Sequence, residues 1–377
     1  MGLWNPGKVL AEPGLRLTEE EKQFIWSKMP PPVDGYYNAD AVFEGGGVRG
    51  LAFLGALRCC HDLNIRWCKL AGTSAGAVTA ALLAAEFPMD RLEEILGELD
   101  YMKFLSRKMS PLIWNGDPAN DLQMPVLMVL SLLLARQLGE YSSDPFRDWL
   151  AQTLAIQGIQ EFADLEKQRE SHNLKVVVSD ISRGQMLVLP DDLDCLDAAT
   201  TQKLREQGLM SGKEFSVAEA VRLSMSIPFF FAPGKLGDRL IVDGGILSNF
   251  PLWIYDVRPN GPGRVPRWPT FGLRLVEEHG HATAAKVGGP LSLLGAMFRT
   301  MMVARDRYHL THTDQGRVIN INVATANVTA TQFNLSNGIK DDLYRVGYES
   351  TKRFFLDTWS WEKHLVARGF EPSTATA

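Results

Sequence analysis

The chain reads as an α/β protein, with helices packed on a mainly parallel sheet, and two observations carry that reading. Residues 39–86 alternate short apolar runs, glycine-rich turns and helical periods in the order strand, glycine loop, helix, strand, glycine turn, helix. That is a βαβα unit, and successive parallel strands need such crossovers. Further β-like runs then recur at 175–178, 186–189, 239–242, 271–276 and 318–323.

The elements follow in order. Residues 1–39 are polar and end in Met29-Pro30-Pro31-Pro32. Thr18 and Glu21 fit a capping box for a short helix over 18–28, and the stretch reads as an N-terminal extension lying on the surface. Ala41-Val42-Phe43 is a buried strand running into Glu44-Gly45-Gly46-Gly47, and 51–63 carries helical spacing at Leu51, Leu54, Ala56 and Leu57. Trp67–Ala71 is a second strand ending at Gly72, and Ala75–Glu86 is strongly helical. Residues 88–170 read as mainly helical, with an insertion at about 100–145. The strands Lys175–Val178 and Met186–Leu189 are joined by a turn at Asp180–Gly184. Ser216 and Glu219 open a helix over 216–226 that Pro228 stops. Arg239–Val242 is a strand ending at Asp243-Gly244-Gly245. Beyond a Pro/Gly-rich loop at 258–269, strands at 271–276 and 318–323 and helices near 291–305 and 341–357 complete the chain. With no linker and no repeat, this is one domain. It comprises an extension at 1–39, a core at 40–253, and a part at 254–377 completing the same unit.

Composition narrows the function. The 377 residues are 45% hydrophobic and 22% charged, which excludes disorder, and the net charge of −5 supplies no basic field for nucleic acid. The cysteines at 59, 60, 68 and 195 form no C-x-x-C pair and no zinc spacing, so free, mostly buried thiols and no metal are expected. Met1–Leu10 has no signal-like pattern, and the longest apolar run, Met124–Ala135, is interrupted by Pro125 and Ser131. It falls short of the ~20 residues of a membrane span. A cytoplasmic or peripherally membrane-associated protein is expected.

Three motifs carry chemistry. Gly72-Thr73-Ser74-Ala75-Gly76 is a G-x-S-x-G between a strand and a helix, the pattern of a nucleophile elbow with Ser74 at a helix N-terminus. Ser74 as a plain helix cap fits the pentapeptide equally well. Gly45-Gly46-Gly47-Val48-Arg49-Gly50 can turn several backbone N–H groups into one concavity, for a phosphate or for an oxyanion. A dinucleotide site needs an acid at the end of the second strand. That strand instead leads into the serine elbow, which favours acyl transfer. Asp243-Gly244-Gly245 follows a strand directly. A serine nucleophile needs a proton acceptor, and none of His61, His172, His279, His281, His309, His312 and His364 lies in a motif that fixes a catalytic loop. Asp243 does, although an Asp-Gly turn without catalytic meaning is equally common. A Ser–acid–His hydrolase remains the lower-ranked arrangement.

In this order and context the three motifs resemble the patatin-like phospholipases. The resemblance extends to Val178-Ser179-Asp180, Ser224-Met225-Ser226-Ile227-Pro228-Phe229-Phe230 and the stretch 335–355; it is firm over about 40–252 and loose beyond. It implies a three-layer α/β/α fold and a Ser–Asp dyad lipid acyl hydrolase, with Ser74 as nucleophile and Asp243 as general base. It also implies an oxyanion hole from the N–H groups of Gly46 and Gly47, in a loop shaped by Gly45 and Gly50. Arg49 takes the family's basic position, to steady the loop or to attract a lipid phosphate. Gly72, Thr73, Ala75 and Gly76 form the elbow, and Gly244 and Gly245 the turn after the acid.

The implied partner is a lipid at a membrane or micelle surface, met through transient hydrophobic contact, since the net charge gives no pull toward anionic lipid. No motif names an activating protein, and no cofactor is needed. Residues 122–138 and 291–303 have the composition of a slot wall or lid, and equally of core helices. Acyl transfer to a second lipid would use the same dyad. A nucleotide-binding protein and a silent lipid-binding module are the more distant readings.

Overall fold

A computed structural model describes residues 4–99, 106–107, 139–169, 173–256, 265–276, 300, 316–326, 328 and 334–370. The first half of these runs α1 (Gly7–Leu10), α2 (Glu19–Trp26), β1 (Tyr37–Phe43), α3 (Ala52–Asp62), β2 (Ile65–Thr73), α4 (Ala75–Ala84), α5 (Met89–Gly97), β3 (Ser106–Arg107), β4 (Gly139–Ser142), α6 (Asp144–Ala155) and α7 (Phe162–Gln168). There follow β5 (Asn173–Asp180), β6 (Gln185–Leu189), α8 (Ala198–Glu206), α9 (Val217–Ser224), β7 (Phe229–Phe231), β8 (Gly234–Leu236), β9 (Arg239–Asp243), β10 (Thr270–Val276), β11 (Val318–Asn322), α10 (Asn337–Arg353) and α11 (Trp361–Ala367).

The main sheet has the order β11-β10-β1-β2-β5-β9-β8, with β6 on the other edge of β5. Strands β11, β10, β1, β2 and β5 run parallel; β6 and β9 pair antiparallel with β5, and β8 pairs antiparallel with β9. The architecture is therefore a mixed, mostly parallel sheet flanked by helices, as the βαβα pattern predicts. Its centre is β1, where Ala39 to Phe43 are all buried. Unbroken burial of that kind marks a strand covered on both faces. Helices α3 and α10 meet backbone to backbone: a Cβ on Gly55 would lie 1.9 Å from the Tyr344 carbonyl oxygen, and one on Gly347 would lie 1.9 Å from that of Ala52.

Several boundaries differ from expectation. The second strand runs the longer course of β2, and the helix expected from Leu51 begins as a 3₁₀ turn, Gly47–Leu51, before α3. The box at Thr18 and Glu21 is formed, but at Ser216 only half of one is: its hydroxyl takes the Glu219 N–H, while the Glu219 carboxylate turns to Arg222. A small sheet, β3-β4-β7, was not foreseen, because strands of two to four residues carry too little alternation to read.

The surface placement of residues 1–39 needs correcting. Trp4, Val9, Leu15, Leu17 and Ile25 are buried in the main core. The Trp4 indole N–H donates to Asp341 at 2.8 Å, and the Leu17 N–H to the Tyr348 hydroxyl at 3.2 Å. A mostly polar stretch with a few well-spaced apolar residues can cover another helix, and here it covers α10. Most of the expected insertion at 100–145, the stretch 122–138 and nearly all of 291–305 lie outside the described residues.

Candidate active site

Strand β5 sets the site. Val177 pairs with Val188 of β6 on one edge and with Thr73 of β2 on the other. The next residue, Val178, pairs with Leu187 of β6 and with Asp243 of β9. Strands β2 and β9 therefore share the edge of β5 that faces away from β6, end to end. The residue before Ser74 and Asp243 itself stand on consecutive positions of one strand, which are ~3.3 Å apart along it. The Ser74 side chain is near enough to the Asp243 carboxylate to help hold down its pKa.

Ser74 has φ +53 and ψ −125, a region that a side chain seldom enters without surrounding constraint. The constraints are visible. Its N–H donates to the Ser224 hydroxyl at 2.9 Å, which in turn donates to the Val177 carbonyl at 2.6 Å. Its carbonyl accepts the Ala77 N–H at 2.9 Å, opening α4. On the outer side, a Cβ at Gly76 would lie 2.5 Å from the Phe43 carbonyl, so only glycine lets α4 rise this close to β1. The Ser74 hydroxyl makes no capping bond to α4, which removes the plain-cap reading. The role of Ser224 went unread in the sequence; its only signal was its place in the resembling stretch 224–230.

Asp243 is buried and its N–H donates to the Ser226 carbonyl at 2.9 Å. One carboxylate oxygen accepts the Gly245 N–H at 2.7 Å, so the residue is both a turn aspartate and a serine partner. Burial pushes its pKa up to about 6, while the Gly245 N–H and the neighbouring Ser74 side chain hold it back. Gly244 passes over β5 so closely that a Cβ there would lie 2.2 Å from the Val177 carbonyl.

The glycine loop lies against the elbow, where a Cβ on Gly50 would be 3.3 Å from that of Ala75. The Gly45 N–H donates to the Asn249 carbonyl at 3.0 Å. The N–H groups of Gly46 and Gly47 have no acceptor among the described residues. Gly47 takes φ +57 and starts the 3₁₀ turn, and Arg49 Nε donates back to the Gly46 carbonyl at 3.3 Å. That contact fits the loop-steadying role for Arg49. The Thr73 hydroxyl donates to the Ser248 carbonyl at 3.0 Å.

Two histidines are among the described residues. His61 lies in the last turn of α3, at the end farthest from the glycine loop, ~13 Å along the helix from its start. His364 is buried beside Phe271, Trp359 and Trp361 and receives the Thr270 N–H, at the first residue of β10. Burial holds its pKa well below the usual histidine value. Thr270 pairs with Asp40 at the middle of β1, whereas the Gly45–Gly50 loop leaves the carboxyl end. Neither ring adjoins Ser74. The other five histidines lie outside the described residues.

The family model described as "Patatin-like phospholipase" matches residues 41–255, from the first sheet strand to just past the Asp243 turn. The chain belongs to the patatin-like phospholipase family. At the level of that family it is a lipid hydrolase. It is 33% identical over 326 residues to the uncharacterised protein YqhO of Bacillus subtilis, covering 85% of this chain and 99% of that one. It is also 25% identical over 210 residues to the NTE family protein Rv2565 of Mycobacterium tuberculosis, 56% of this chain but only 27% of the relative. Among solved structures, VipD of Legionella pneumophila has TM-score 0.47 at 16% identity, over 88% of this chain and 70% of that one. The type III effector ExoU has TM-score 0.44 at 15% identity, over 87% and 53%.

Proposed function

We propose that this patatin-like phospholipase hydrolyses acyl esters of phospholipids or other glycerolipids through an acyl-enzyme on Ser74, with Asp243 as the only general base. The observation that carries the reading is the pairing of Thr73 and Asp243 to consecutive residues of β5, which sets Ser74 beside a buried carboxylate. As Ser74 Oγ attacks the ester carbonyl carbon, its proton passes to Asp243 and the carbonyl oxygen becomes an oxyanion. The Gly46 and Gly47 N–H groups receive that charge. The Ser74 N–H does not, because Ser224 already holds it. The tetrahedral adduct then expels the alcohol, which takes the proton from Asp243, and water activated by the same carboxylate releases the fatty acid.

A pKa of about 6 suits this task. At pH 7 the carboxylate is still mostly ionised, yet it is roughly a hundredfold more basic than an ordinary aspartate near 4.

The test is fatty-acid release from mixed phospholipid micelles by the wild type, Ser74→Ala and Asp243→Asn, each checked for folding by circular dichroism. Both folded variants should be inactive. Activity surviving Asp243→Asn but lost in Ser74→Ala would point to a histidine base instead.

A further inference from the structure

Asn249 holds Gly45 from both sides. Its main-chain carbonyl accepts the Gly45 N–H at 3.0 Å, and its side-chain Nδ2 donates to the Gly45 carbonyl at 3.1 Å. The carboxamide is buried, with 7% of the residue exposed. The same nitrogen lies 3.5 Å from Glu44 Oε1, and Glu44 Oε2 accepts the Leu275 N–H at 2.6 Å, tying the grip to β10. The carboxamide also fills the room that a side chain at 45 would need: a Cβ there would sit 2.3 Å from Asn249 Oδ1.

That Oδ1 has no hydrogen-bond partner among the described residues. A buried acceptor without a donor is unfavourable, and an apolar residue would fill the space without that cost. What the asparagine supplies is therefore its NH₂ group, and that group is spent on the glycine loop. The neighbouring Ser248 carbonyl holds the Thr73 hydroxyl at 3.0 Å. One short segment, Asp243–Asn249, thus touches the serine, the residue before it, and the loop.

We propose that Asn249 is a positioning residue for catalysis. By fixing the peptide planes on either side of Gly45, it keeps the N–H groups of Gly46 and Gly47 aimed at the oxyanion. The inference rests on the Ser74–Asp243 reading above. Its chemistry is local to the oxyanion, so it acts on the transition state more than on substrate binding.

The experiment measures kcat and KM on a monomeric short-chain p-nitrophenyl ester from pH 5 to 9, using the full chain. Asn249→Ala should lower kcat by about 10- to 100-fold with KM within about twofold. Its acid limb should stay where the wild type has it, because the bonds around Asp243 are untouched. Asn249→Asp keeps the shape but faces two acceptors with a third, so its kcat should fall at least as far. Gly45→Ala should also fail, and adding Asn249→Ala should raise its melting temperature by removing the clash while leaving kcat low. A folded Asn249→Ala enzyme with kcat within threefold of wild type, or with the loss confined to KM, overturns the proposal. If that variant does not fold, Asn249→Asp and the Gly45 pair decide on the same criteria. Full activity in Ser74→Ala would instead overturn the underlying reading, and the proposal with it.

Discussion

Thr73 and Asp243, far apart in the chain, face consecutive residues of β5 along one edge. This pairing sets the serine and the carboxylate side by side, and it makes the site sensitive to anything that shifts β9 against β5. A one-residue slip would turn Asp243 to the opposite face of the sheet.

Gly244→Ala tests that sensitivity. The added methyl would meet the Val177 carbonyl, which is backbone and can yield only by moving the strand. The expected cost is about 1–3 kcal/mol of stability. Activity should fall further than stability alone explains. Thermal unfolding and ester hydrolysis on the same preparation check both.

The pH profile follows from Asp243. With a pKa of about 6, kcat/KM should rise as pH increases through 6 and level off above 7. A titration of initial rates, with folding monitored, would find the limb nearer 4 if burial did not raise the group.

The same shift has a thermodynamic side. An unfolded aspartate titrates near ~4, so between about 4 and 6 the folded state holds a proton that the unfolded state has lost. The associated stability is present below pH 4 and lost as pH rises through 6, for a difference of about 2–3 kcal/mol. Asp243→Asn should therefore melt above the wild type at pH 8, with the gap closing toward pH 5. Parallel melting curves at the two pH values would decide it; a variant that melts lower at pH 8 would refute it.

Trp4 predicts the importance of the N-terminal stretch. Its ring packs edge-on to Tyr344 at 5.8 Å and against Gly97, where a Cβ would come within 2.1 Å of the indole. Trp4→Ala should cost about 3 kcal/mol, close to the lower range for a buried tryptophan. Urea unfolding would show it as a lower midpoint with little change in pH profile.

Legibility in the sequence tracked distance along the chain. The run from β1 to α4 could be read because glycine punctuation and helical periods are local signals. Ser74 and Asp243, which the pairing to β5 sets side by side, each stand in a glycine motif that is local too. What could not be read was held by contacts between remote residues. The hydroxyl of Ser224 reaches Ser74 and Val177, and Asn249 reaches Gly45, through side-chain-to-backbone bonds that leave no periodic trace. Placing β9 end to end with β2 likewise depends on long-range pairing. The burial of Trp4 was hidden by the polar composition around it.

Because β5 measures the spacing between serine and acid, the length of chain that separates them is free to vary. Turns such as Gly208, with open space around it, could accept a spacer or a whole inserted module without parting the pair. A single residue added between Val177 and Val178 would part them at once. A scaffold of this kind can exchange its peripheral segments while the serine and the acid stay in place.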